Sequence, residues 1–150
     1  MKNKDIRALS KKYGVIFIYL FGSQADKGRR YFEGEDVEPD IFADLDVAIA
    51  FGDPPVETMK TYGILFKEIS KIFDPFNIDL IFMYELDALF QYEIIKGERV
   101  YEKDEFSADE FEEGTMKRAE DLLFKKRIFN EEVMEAIENG YFEFEYNANP

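Results

Sequence analysis

The sequence predicts a small mixed α/β domain of the α+β type, carrying a C-terminal helical extension. Three observations carry that prediction. Apolar runs of strand length recur at residues 15–21 ("VIFIYLF"), 44–51 and 76–84. Segments with apolar residues at helical spacing lie between them, so strands and helices alternate. The last third contains one long stretch of helical periodicity with little to break it.

The chain opens on "NKDIRALSKKY" (3–13), which predicts a short amphipathic helix with Ile6 and Leu9 inward, stopped by Gly14. Residues 15–21 read as a buried strand, too short to span a bilayer. Ser23 is placed to cap a helix beginning at 23–27. Residues 28–42 hold Gly28, Gly34, Pro39 and several acids, and they read as an irregular loop. Residues 44–51 form a second strand, closed by "GDPP". In "VETMKTYGILFKEISKIF" (56–73), Met59, Tyr62, Phe66, Ile69 and Phe73 recur at helical spacing, and Pro75 ends that helix. A third strand comes next at 76–84, then a helix at 86–96 and a short final strand at 99–102. "SADE" from Ser107 resembles a capping box and opens a helix to about Ile137, with Gly114 its one candidate interruption. Phe111, Ala119, Leu122, Phe129, Val133 and Ile137 make an apolar stripe along it, which reads as core packing. The tail "YFEFEY" (141–146) alternates apolar and acidic residues, like an edge strand or a docking segment.

Composition narrows the chemistry. The 150 residues contain no Cys and no His, which excludes disulfides, thiolate zinc sites, Cys nucleophiles and His-based triads. Catalysis would run on carboxylates, hydroxyls, Lys or Arg, and a bound metal would be an oxygen-seeking Mg²⁺ or Mn²⁺. A formal net charge of −14 disfavours direct nucleic-acid binding, since phosphates are repelled. It suits a metal–nucleotide ligand or a basic protein partner. No apolar segment comes after Met1 in "KNKDIRALSKK", so the expectation is no signal peptide, no membrane association and a cytoplasmic protein.

One constellation stands out. In an extended strand Asp44 and Asp46 project from the same side, continued by Ala48 and Ala50, while Leu45, Val47, Ile49 and Phe51 face the core. Two such carboxylates repel unless a cation lies between them. Asp79 sits inside the otherwise apolar "NIDLIFM" and needs a partner or a wet edge. If the two strands are neighbours, three acids converge, as in two-metal sites for displacement at phosphorus. Gly22-Ser23 ends a strand before a helix and can offer backbone N–H groups and a hydroxyl to phosphate. Each element alone is weak; a turn with a cap, or a pair of surface charges, explains it as well. The order strand, Gly-Ser, helix, Asp-x-Asp strand, helix, Asp strand is more specific.

On these residues the chain resembles the minimal nucleotidyltransferases (MNT) of the DNA polymerase β-like superfamily. "LFGSQA" (20–25), "ADLDVAIAF" (43–51) and "IDLIFM" (78–83) match the three parts of that pattern, and "LFQYEIIKGERVYEKD" (89–104) resembles the stretch that these small proteins carry after their core. The resemblance implies a small twisted nucleotidyltransferase sheet with helices packed on one face. It implies a nucleotidyltransferase core at 1–104 and a helical extension and tail at 105–150. It further implies that Asp44, Asp46 and Asp79 bind metal and serve catalysis, that Gly22 and Ser23 bind nucleotide, and that Mg²⁺ (or Mn²⁺) and ATP or another NTP are used. Small MNT proteins often act as antitoxins to HEPN-domain toxins, so AMP transfer to a tyrosine of such a partner is the favoured expectation. Transfer to a small aminoglycoside-like molecule and a non-catalytic toxin-binding role are the alternatives, and a homo-oligomer is left open. Departures are visible: Asp26-Lys27-Gly28 replaces the usual Arg-Gly, leaving Lys27, Arg29 or Arg30 for the phosphates. Ala43 stands where Ser is common, and the loop before Asp44 is about ten residues longer than the family pattern, with acids at 33, 35, 36, 38 and 40.

Overall fold

A computed structural model describes residues 2–140; the "YFEFEY" tail lies outside the described residues. Helix α1 (Lys2–Tyr13) leads into β1 (Val15–Phe21), followed by α2 (Ala25–Phe32), β2 (Leu45–Phe51), α3 (Thr58–Phe73) and β3 (Ile78–Phe82). A 3-10 turn, Met83–Glu85, precedes α4 (Ala88–Ile95), β4 (Glu98–Glu102) and α5 (Glu105–Glu138). The four strands form one sheet in the order β3-β2-β1-β4. β1 is antiparallel to both β2 and β4, whereas β2 and β3 are parallel and joined through α3. No helix among the described residues is long and apolar enough to cross a membrane.

The alternation of side chains gives the sheet two covered faces. On the first, Leu45, Val47 and Ile49 of β2 pack with Ile78, Leu80 and Phe82 of β3 against Ile6 of α1, Ala25 of α2 and Leu65, Ile69 and Phe73 of α3. The family expectation of helices on one face describes α1–α3. The first turns of α5 fold over the second face with α4: Phe17, Tyr19, Ala48 and Ala50 meet Met83, Ile94 and Ala108. The small Ala48 and Ala50 side chains leave room for this layer. β1 serves both faces through an irregularity between Val15 and Phe17, which shifts the alternation so that Val15 and Ile18, three residues apart, reach the same core.

Several local expectations change. Residues 28–32 are helix, not loop: a Cβ at Gly28 would come within 2.6 Å of Leu45 Cδ1 and 2.9 Å of Leu20 Cδ1. Gly28 therefore marks close packing of α2 on the sheet rather than a break. In α3 the inward stripe is Leu65, Ile69 and Phe73, with Met59 and Phe66 exposed. α5 starts before Ser107. Asp104 is its cap, accepting from the Ser107 backbone N–H at 2.7 Å and the Ser107 hydroxyl at 2.8 Å. Gly114 does not interrupt it. Its stripe packs only in part: Ala108, Thr115 and Ala119 are buried and Phe111 is partly buried, while Phe129 and Ile137 are exposed.

Candidate functional site

The topology brings all five sequence-predicted residues to one end of the sheet. β1 leaves the sheet there, and β2 and β3 enter it. Asp46 and Asp79 are direct register partners across the parallel pair β2–β3, and Phe21, the last residue of β1, is opposite Asp46 on the other side. Asp44 immediately precedes β2 and is exposed. Asp46 continues the Ala48–Ala50 row and is half-buried. Asp79 lies on an edge strand with its side chain exposed, so the wet edge its sequence context required is present.

Gly22 comes directly after Phe21 with φ +77°, a conformation that L side chains rarely adopt, and a Cβ there would collide with the Asp46 carboxylate Oδ2. The residue is thus held to glycine twice over, by the turn and by the acid that it touches. Ser23 is exposed in the turn and does not cap α2. The cap position is Gln24, which makes no side-chain cap bond. The Ser23 hydroxyl makes no hydrogen bond among the described residues and stays available to a ligand beside the start of α2.

Electrostatically the cluster is unbalanced. Burial, then the charge of Asp79, then that of Asp44, raises the Asp46 carboxyl above its ordinary value. Among the described residues no group of three or more acidic side chains is drawn together as a ready metal cage. The donor chemistry nevertheless fits a hard divalent cation: three carboxylates on one sheet end, mutually repelling, with one of them half-buried.

The cations near the Gly22-Ser23 turn are mostly engaged. Arg29 pairs with Asp26 at 2.8 Å, Glu33 at 2.9 Å and Glu98 at 3.4 Å; Arg30 pairs with Glu35 at 3.2 Å and Asp26 at 3.4 Å. Two of the five acids that open the long loop are thereby neutralised by α2. Lys27 makes no ion pair among the described residues. Gln24 is the residue that sequence reasoning missed. It is buried, and its side-chain amide holds the end of the long loop at Asp40 and Ala43. The signal for it was a Gln placed directly between Gly-Ser and the first apolar residue of a helix.

A family model described as polymerase beta, nucleotidyltransferase, matches residues 3–106. No curated protein matches the chain. Among solved structures, a toxin–antitoxin complex with AMP-PNP contains a chain similar in fold, with a TM-score of 0.63 at 15% identity, covering 89% of this chain and 99% of that one. The toxin–antitoxin MntA–HepT gives 0.59 at 15% identity over 89% and 97%. A tri-AMPylated Shewanella oneidensis HEPN toxin in complex with its MNT antitoxin gives 0.58 at 15% identity over 89% and 96%. At these identities the structures share the fold, and the family model covers more than half of the sequence. The chain belongs to the polymerase beta nucleotidyltransferase family.

Proposed function

We propose that this chain is a Mg²⁺-dependent nucleotidyltransferase of the cytoplasm that moves AMP from ATP to a hydroxyl, the acceptor being a tyrosine of a HEPN-type toxin partner. The observation that carries the reading is the meeting of Gly22, Asp46 and Asp79 at one sheet end, with Asp44 and Ser23 beside them. In this reading Asp44, Asp46 and Asp79 hold the divalent cation, which would neutralise and polarise the triphosphate when bound. Gly22 and Ser23 cradle the β- and γ-phosphates at the start of α2, and Lys27 is the cation left to assist them. The acceptor oxygen attacks the α-phosphorus, the bond from that phosphorus to the α–β bridging oxygen breaks, and pyrophosphate leaves. Asp79, exposed on its edge strand, accepts the hydroxyl proton. Residues 1–104 form the transferase core and 105–150 its extension.

The three solved structures described above are toxin–antitoxin complexes, one with AMP-PNP and one with an AMPylated toxin, and they support this choice of nucleotide and acceptor. A second reading, a non-catalytic toxin-binding module, is favoured by the ion pairs that occupy Arg29 and Arg30. Incubation with α-labelled ATP, Mg²⁺ and the HEPN-type partner separates the two. Label on a partner tyrosine, lost in Asp46→Asn by at least about 100-fold, is the expected result. Tight partner binding with no transfer would leave the module.

A further inference from the structure

The end of the long loop is a fixed turn with an unusual tip. Ala43 N–H donates to the Asp40 carbonyl at 3.3 Å, closing a turn over residues 40–43, and Phe42 N–H donates to the Asp40 carboxylate at 2.9 Å. Gln24, only 3% exposed, grips both ends of this turn. Its amide oxygen accepts from Asp40 N–H at 2.8 Å, and its amide nitrogen donates to the Ala43 carbonyl at 2.6 Å. A buried side chain satisfied at both ends of one turn fixes that turn on the body of the protein.

Corners of turns favour Gly, Pro, Asn, Asp and Ser. Here they are Ile41 and Phe42, which are 79% and 92% exposed. Side chains that exposed stand away from the body and are not folded over the acids. Two adjacent apolar side chains at the tip of a fixed turn offer a second macromolecule a compact contact. Phe42 precedes Asp44 by two residues, at most about 7 Å of chain, so whatever seats on the tip is held beside the acids. Residues 35–44 carry five acids and no Lys or Arg. With Glu35 paired to Arg30 and Asp44 given to the cation, Asp36, Glu38 and Asp40 make no ion pair among the described residues, so a surface complementary to the tip would be basic around an apolar centre.

We propose that the Ile41–Phe42 turn is a docking knob that enters an apolar cleft, rimmed by basic residues, on the protein that presents the acceptor hydroxyl. This rests on the transferase reading above for the identity of that protein. The turn, held by Gln24, then selects the acceptor and places it, while the strand-end acids handle the nucleotide.

The test compares the unaltered chain with the double variant Ile41→Ser/Phe42→Ser. The probes are the HEPN-type partner, by calorimetry, and a fluorescent ATP analogue with Mg²⁺. Both substitutions are on exposed side chains, and a thermal melt confirms that the variant is folded. The expected result is a partner affinity at least about 30-fold weaker, with nucleotide affinity and AMP transfer to free tyrosine amide unchanged. Partner affinity of the unaltered chain should also fall as salt rises, because the rim contact is ionic. Equal partner binding by variant and unaltered chain overturns the inference. So does a matching loss of nucleotide affinity, which would assign the tip to the nucleotide. Binding that depends on the tip, without any transfer to the partner, supports the knob and removes the transferase reading. No binding of that partner by the unaltered chain overturns both.

Discussion

The two faces of the sheet are built from different materials. The first is a continuous apolar layer in which α1, α2 and α3 cover Leu45, Val47 and Ile49; at its rim Tyr62 of α3 lies close enough to feel the charge of Asp79. The second is thinner and mixed. It has small Ala48 and Ala50 at its centre, a polar cluster holding α5, and Asp46 and Asp79 at its open end. In that cluster, Tyr19 and Arg99, register partners on β1 and β4, converge on Glu112 of α5. The Tyr19 hydroxyl donates to Glu112 at 2.7 Å and Arg99 donates to the same oxygen at 2.5 Å. Phe17 packs on Phe111 alongside, with ring centroids 5.0 Å apart. The contrast teaches how strand alternation sorts β2: its odd-numbered residues build the apolar layer, while of the even-numbered ones Ala48 and Ala50 pack under α4 and α5 and Asp46 is left at the open end.

If that sorting also divides stability from chemistry, damage to the first face should unfold the protein without any selective effect on the site. Phe73 is fully buried between α3 and the sheet and stacks on Phe32 at 5.7 Å. Phe73→Ala should cost about 3–5 kcal/mol, the range for a large core side chain truncated to Ala. Urea denaturation measures it. Where the variant remains folded, the affinity for Mg²⁺–ATP should be unaltered; a folded variant with weakened nucleotide binding would show that the two faces are coupled.

On the second face Glu112→Ala should cost less, about 1–3 kcal/mol, because it strips the buried Tyr19 hydroxyl of its acceptor while Arg99 keeps Glu102 and Asp109. Hydrogen exchange should show the first half of α5 opening while α3 stays protected. Burial, reinforced by the hydrogen bond to Glu112, raises the Tyr19 hydroxyl well above its ordinary value. The neutral form is therefore the one that the fold accepts. That contribution is complete below the unfolded value near 10 and is lost as pH rises above it. Alkaline unfolding should accordingly begin in the second face, and uniform loss of protection across α3 and α5 would argue against a distinct layer.

Element order and the convergence of acids were legible in the sequence because both rest on strand periodicity, which survives any packing. The apolar strand around Asp79 even announced that its carboxylate needed an outlet. The hidden features depended on partners far along the chain. Gly28 reads as a breaker until Leu45 and Leu20 are seen pressed against it, and then its missing Cβ becomes a packing requirement. Ser23 looked like a cap because Ser often is one, yet the next residue, Gln24, takes the cap position and spends its side chain on the loop instead. "SADE" resembled a capping box, but Asp104 three residues earlier reached the Ser107 amide first. Periodicity also could not divide α5. Its inner turns meet the sheet, while Leu123, Phe124 and Phe129 farther on are exposed with the same spacing.

The smallest expected effect has the opposite sign and tests the contrast most sharply. Asp46 is held above its ordinary carboxyl value by burial and by its neighbours Asp79 and Asp44, so in the metal-free protein its charge opposes folding. A raised carboxyl contributes stability that is complete below its unfolded value near 4 and is lost as pH rises through the folded one. Asp46→Asn removes that loss. The variant should be slightly more stable than the unaltered chain at pH 7 in EDTA, by less than about 1 kcal/mol because solvent screens a half-exposed group, and the two should converge below pH 4. Adding Mg²⁺ should raise the melting temperature of the unaltered chain and leave the variant unmoved, since ligand linkage requires the carboxylate that the substitution deletes. A variant that is less stable at pH 7 would mean that Asp46 holds the second face together, and the division between a face for stability and a face for chemistry would fail at the residue where it matters most.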